Sequence, residues 1–114
     1  MKGEIMGRMQ ARKGRSGEIE LVHLLNEYGI PASPGNPMSY GKTPDIVGVE
    51  SCHVECKRHE RMNLYAWLKQ AQEDSQKFGG LPVVMHRSNR HGWIASMPLE
   101  SWIVLYKKGI DNYE

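Results

Sequence analysis

Thr43-Pro44-Asp45-Ile46-Val47-Gly48-Val49-Glu50-Ser51-Cys52-His53-Val54-Glu55-Cys56-Lys57 is the stretch on which the reading of this sequence turns. Ile46–Val49 and Cys52–Lys57 read as two short strands, with Glu50 and Ser51 between them as a hairpin turn. Side chains alternate along a strand. Cys52, Val54 and Cys56 therefore share one apolar face, and His53, Glu55 and Lys57 share the other. Asp45 opens the first strand directly after Pro44. The turn lies midway, so a hairpin brings Asp45 near Glu55 and Lys57. Each position alone has an ordinary reading, Asp45 as a strand-start residue and Glu55 with Lys57 as an ion pair on a strand face. Together they compose a site.

The segment upstream adds a third acid. Ser16 is a good N-cap, and Gly17 to Tyr28 reads as a helix ended by Gly29. With Glu18 at 0° and steps of ~100°, Leu21 falls near 300°, Val22 near 40°, Leu25 near 340° and Tyr28 near 280°. Glu18 is thus in the middle of the apolar stripe, whereas Glu20 and Glu27 fall on the solvent side. A first-turn carboxylate also suits the helix dipole. A helix packed on the sheet face of Glu55 would bring Glu18 to Asp45, Glu55 and Lys57. Three close carboxylates need a cation to coexist ionised, and carboxylate oxygens are the hard ligands that Mg²⁺ prefers.

The remaining elements fall into place around this centre. Residues 31–44 form a long loop, with a short edge strand at its start. Asn63 caps a helix that runs to Phe78 and closes at Gly79-Gly80, with Leu64, Trp67, Leu68, Ala71 and Phe78 as its core stripe. Leu81–His86 is a strand, residues 87–92 are a polar turn, and Trp93–Ser96 returns. Leu99–Lys108 is a last helix with Gly109 after it. The class is α/β with one mixed sheet.

Composition bounds the function. The 114 residues hold 39% hydrophobic and 25% charged positions with a formal net charge of +2, which fits one domain with a core. No apolar run approaches the ~18 residues of a membrane span, and the N-terminus lacks the apolar centre of a secretory signal. Two Cys four residues apart make no disulfide framework, so an intracellular, cytoplasmic protein is expected. No zinc is expected either, because His53 points away from both Cys and a structural site wants four ligands. Residues 1–15 carry Lys2, Arg8, Arg12, Lys13 and Arg15 against Glu4 alone. They read as a flexible basic arm able to follow phosphates, ahead of a single domain over 16–114.

Pro44-Asp45 and Glu55-Cys56-Lys57, with nine residues between the two acids, resemble the PD-(D/E)xK nuclease motif. Glu18 stands where that family's helix glutamate completes the metal site. The resemblance extends to the Holliday junction resolvases, archaeal and phage or prophage. Arg12-Lys13-Gly14 precedes the Glu18 helix, and Phe78-Gly79-Gly80-Leu81-Pro82-Val83-Val84 follows the second helix as in that branch. It implies a restriction-endonuclease-like domain, a central mixed β-sheet flanked by helices in the order αβββαββα.

The resemblance further implies a Mg²⁺-dependent endodeoxyribonuclease, with Mn²⁺ able to substitute. Asp45, Glu55 and the backbone carbonyl of Cys56 would hold the ion, with Glu18 a direct or water-mediated ligand. Lys57 would act on the attacking water or stabilise the transition state. Gln70 is the candidate for the glutamine that related nucleases place after the motif lysine. A loop serine of archaeal members corresponds to Ser33 or Ser39, and spacing favours Ser39. Arg12, Lys13, Arg15, Lys42, Arg58 and Arg61 would bind DNA phosphates, with His59 beside them. The expected substrate is a four-way junction, cut by a homodimer formed through Trp93, Trp102, Ile103 and Tyr106. The alternatives are a nuclease of this fold acting on flaps, ends or duplex, and a non-catalytic nucleic-acid-binding domain.

Overall fold

In the computed structural model, residues 2–36 and 43–113 are described, with side chains from 15–36 and 43–112. The elements are α1 (Lys2–Glu27), β1 (Ser33–Pro34), β2 (Ile46–Val47), β3 (Cys52–Arg58), α2 (Leu64–Phe78), β4 (Leu81–Arg87), β5 (Ile94–Ser96) and α3 (Leu99–Tyr113). The expected element order holds throughout.

The sheet runs β1-β2-β3-β4-β5. Antiparallel pairing sets Ser33 opposite Val47 and Ile46 opposite Val54. Central β3 and β4 are parallel over seven residue pairs, from Cys52 with Leu81 to Arg58 with Arg87. Parallel neighbours need a long crossover, and α2 supplies it. β5 returns antiparallel, with Met85 opposite Ala95.

Two apolar layers sandwich the sheet. On one face Leu21 and Val22 of α1 bury themselves against Ile46, Val54 and Val83, with Cys52, Cys56 and Met85 packed alongside. On the other face Trp67 and Ala71 of α2 cover Val84. Val84 pairs with Glu55, and laterally paired strand residues share a face. Glu55 therefore lies under α2, and so do His53 and Lys57.

This corrects one expectation. α1 packs on the face of Val54 and Cys56, not on that of Glu55 and Lys57. The reason is apolar area: Leu21 and Val22 find Val54 and Val83 there, and the crossover already occupies the opposite face. α1 also begins at Lys2, so Ser16 is inside the helix rather than its N-cap, and the arm is continuous helix with it. Glu18 consequently lies far from the N-terminal dipole, and capping does not account for its place. α3 likewise runs through Gly109 to Tyr113. Phe78 is exposed at the end of α2, outside the stripe assigned to it.

Among the described residues, no helix is long and apolar enough to cross a membrane.

Candidate active site

The site forms where β2 stops short. Pairing of Ile46 with Val54 sets Asp45 opposite Glu55 and Pro44 opposite Cys56 when the antiparallel register is continued. Pro44 has no N–H to give. The Cys56 backbone N–H instead donates to Asp45 Oδ2 at 2.9 Å, so a side chain replaces the missing ladder partner. N–H and C=O of one strand residue point to the same edge. The Cys56 carbonyl thus faces the Asp45 edge, opposite a proline that offers it no donor.

Glu55 is 4% exposed. Its carboxyl is pushed up to about 8, first by burial, then by the charge of Asp45 and a hydrogen bond with it, while Lys57 opposes the rise and Asp74 adds to it. Two carboxyl groups this close favour a shared proton. Glu18 is half-buried; burial first and Asp45 second raise its carboxyl, and Arg15 works against them. Asp45, at the end of β2, is thus the acid whose charge reaches both other carboxyls. It meets Glu55 on the α2 side and feels Glu18 on the α1 side.

Lys57 is anchored from the crossover helix. Its Nζ donates to Gln70 Oε1 at 3.1 Å. Gln70, singled out on the sequence, therefore stands next to the motif lysine.

The donor set suits a hard divalent cation. A buried carboxyl that ionises only near 8 beside a second carboxylate gains most from a positive charge in place of the proton. Asp45, Glu55 and the Cys56 carbonyl converge on one edge, with Glu18 on its far side. Burial raises Cys52 and pushes the Cys56 thiol up to about 12, helped by the charges of Asp45 and Glu18. Both thiols are thereby kept protonated, unlike the thiolates that bind metal.

Other expected residues are distributed more widely. Arg15 and Arg61 are exposed. Arg58 is committed within the chain, to Glu60 at 3.3 Å and to Asn89, and its Cβ lies against Gly17 of α1. His59 tilts over Trp67 with ring centroids 5.4 Å apart. Ser33 is exposed on β1. Ser39 and Lys42 lie outside the described residues, as do the side chains of Arg12 and Lys13.

Glu20 is more than a solvated acid. It accepts from Arg87 and from Trp93 Nε1, the latter at 2.9 Å, and so ties α1 to β4 and to the chain entering β5. Trp93 packs against the core in the same place, which withdraws it from the expected dimer surface.

Two residues of the site were not foreseen. His53 Nε2 is 2.9 Å from Glu55 Oε1, and ligand atoms of His53, Glu55 and Asp74 all lie within 4.8 Å of one another. Strand alternation already placed His53 beside Glu55. Asp74 follows Gln70 by one helical turn on α2, a spacing that puts both on neighbouring ground.

No protein-family model matches the chain, and no curated protein does. Among solved structures, Hjc of Archaeoglobus fulgidus, a Holliday junction resolvase from an archaeal hyperthermophile, superimposes with a TM-score of 0.56. The match covers 77% of this chain and 74% of that one at 23% identity. The fold is that of an archaeal Holliday junction resolvase. The five-stranded mixed sheet with its three helices is consistent with that resolvase fold, and the edge bearing Asp45, Glu55 and Lys57 is built on it.

Proposed function

We propose that this chain is a metal-dependent endodeoxyribonuclease of the PD-(D/E)xK type that cuts four-way DNA junctions. The observation that carries the reading is the pairing of buried Glu55 with Asp45 beside a Gln70-anchored Lys57, on the fold of a junction resolvase.

Mg²⁺ would be held by Asp45, Glu55 and the Cys56 carbonyl, with Glu18 reaching it directly or through water. When bound, it supplies positive charge to the scissile phosphate and lowers the pKa of a water. Lys57 directs an ammonium at the same place, where it stabilises the charge that develops on the phosphate or takes part in proton transfer. Gln70 fixes that ammonium by accepting one of its hydrogens. Asp45 links the halves of the site, since its Oδ2 is oriented by the Cys56 N–H.

Arg15, Arg61 and the basic residues 2–13 contribute phosphate contacts that carry no base readout. Arg58 contributes less, because Glu60 and Asn89 hold it. Paired cuts on a two-fold junction call for a two-fold dimer. α3 presents Trp102, Ile103, Val104 and Tyr106 exposed, with Trp102 and Tyr106 stacked at 5.0 Å, an apolar strip suited to that contact. Light scattering on junction DNA should give a dimer; a persistent monomer would remove paired resolution.

The reading is tested with end-labelled four-way junction and linear duplex, in Mg²⁺ and in chelator. Junction cleavage in Mg²⁺ alone is expected. Cleavage of both substrates at equal rates would favour a general nuclease. Binding without cleavage in Mg²⁺ or Mn²⁺ would leave a non-catalytic DNA-binding domain.

A further inference from the structure

His53 is 2% exposed and Glu55 4%, so both are buried. Their side chains project from the same face of β3 at i and i+2, under α2. With Glu55 ionised, His53 Nε2–H donates to Glu55 Oε1 at 2.9 Å. Asp45 lies against the same carboxyl group. Glu55 is therefore held between two partners, one on the site side and one behind it.

The backing residue is itself immobilised. His53 pairs with Pro82 in the parallel ladder. Gly80, with φ +86, passes so close that a Cβ there would stand 2.9 Å from His53 N and 3.2 Å from His53 Cβ. Only glycine allows this approach. The entry of β4 is thus pressed onto the backbone of His53, while α2 closes over its ring and sets Asp74 alongside.

We infer that His53 is a positioning residue that fixes the rotamer of Glu55, presenting that carboxylate to the cation site from a locked buried hydrogen bond. The inference rests on the reading of Glu55 as a ligand. A carboxylate pinned at one oxygen loses little further rotamer freedom on binding an ion, which is how outer partners raise metal affinity. A merely packed histidine would affect stability but not the ion.

The test is Mn²⁺ and Mg²⁺ binding by the full chain, measured by calorimetry for wild type, His53→Leu, His53→Gln and Asp45→Asn, with thermal unfolding of the metal-free proteins in parallel. Leu keeps the buried volume and removes the donor; Gln keeps a donor. His53→Leu is expected to weaken ion affinity by about ten- to a hundredfold without changing the number of ions bound. His53→Gln should recover most of that loss at equal or lower thermal stability than wild type. Unchanged affinity in a folded His53→Leu protein would overturn the proposal. So would loss of a bound ion in both His53 variants with an ion retained in Asp45→Asn, because His53 would then be a ligand itself. Should His53→Leu not fold, wild-type affinity in His53→Gln supports the positioning role and a loss as large as that of Asp45→Asn overturns it. Failure of wild type itself to bind either ion would instead strike the metal-site reading from which the inference starts.

Discussion

Asp45 Oδ2 accepts the backbone N–H of Cys56 at 2.9 Å, across a position where Pro44 leaves the β2–β3 ladder without a donor. The Pro-Asp pair thus does two things at one edge. Proline ends the backbone pairing, and aspartate turns the freed edge into an anionic one. Glu55 and Lys57 follow on the α2 side because strand side chains alternate.

Glu18 meets this edge from the opposite face. Its burial and its charge contact with Asp45 predict that Glu18→Gln lowers cleavage about tenfold or more, as loss of an outer metal partner does. The exposed Glu27 on the same helix is the control, and Glu27→Gln should cut at the wild-type rate. Glu20 is a different case. Glu20→Gln should cost roughly 1 kcal/mol of stability through its bonds to Arg87 and Trp93, read by denaturant unfolding. Equal losses of activity for Glu18→Gln and Glu27→Gln would dissociate Glu18 from the site.

The Glu55 carboxyl, at about 8 in the folded protein, is above its ordinary 4.5. A carboxyl whose pKa rises on folding stabilises the fold fully below its ordinary pKa, and that stabilisation is lost as pH climbs through the raised value. The metal-free protein should therefore lose Tm between about pH 5 and pH 8 relative to Glu55→Gln. Mg²⁺ competes with the proton, so its stabilising effect should be larger at pH 8 than at pH 5. Buried His86, whose pKa burial lowers, acts in the opposite direction, which is why the comparison is made against Glu55→Gln. Parallel pH profiles for the two proteins would contradict the assignment.

Gly17 sets how close α1 approaches the sheet. A Cβ there would lie 2.6 Å from Arg58 Cβ. Alanine in a helix interior ordinarily gains up to about 1 kcal/mol over glycine, but this overlap should cost about 1–3 kcal/mol. Gly17→Ala is thus expected to lower Tm and, by displacing α1, to reduce cleavage. A raised Tm would show that α1 has room to spare.

Much of this was legible in the sequence, and what was not turned mostly on long-range packing. Hairpin spacing and alternation put Asp45 next to Glu55, with Lys57 on the same face of β3, as the register of β2 and β3 has them, because strand geometry is rigid with a period of two. The phase of Glu18 on its helix was also legible. Which sheet face that helix would choose was not, since a stripe says that a helix packs but not against what; the choice fell to the apolar area around Val54 and Val83. Ser16 looked like a cap because Ser-Gly ordinarily breaks a helix, yet the helix runs back to Lys2. Asp74 gains its meaning only once α2 crosses over Glu55, a long-range contact that no local pattern encodes.

Residues 2–15 are basic and helical. Replacement of Arg8, Arg12, Lys13 and Arg15 by Gln should weaken duplex and junction binding and flatten its salt dependence by about 0.9 in log–log slope per lost phosphate contact. Binding isotherms at several salt concentrations measure this. An unchanged slope would make this end of α1 a bystander.

The role assigned to Asp45 and Glu55 is to hold the ion that cleavage requires. The most direct measurement is single-turnover cleavage of a labelled four-way junction in Mg²⁺ by wild type, Asp45→Asn and Glu55→Gln, with junction affinity determined for each. Both substitutions should reduce cleavage by more than about a hundredfold, beyond the loss of an outer metal partner, with affinity kept or tightened as repulsion of phosphate is relieved. Wild-type cleavage rates in both variants would contradict it.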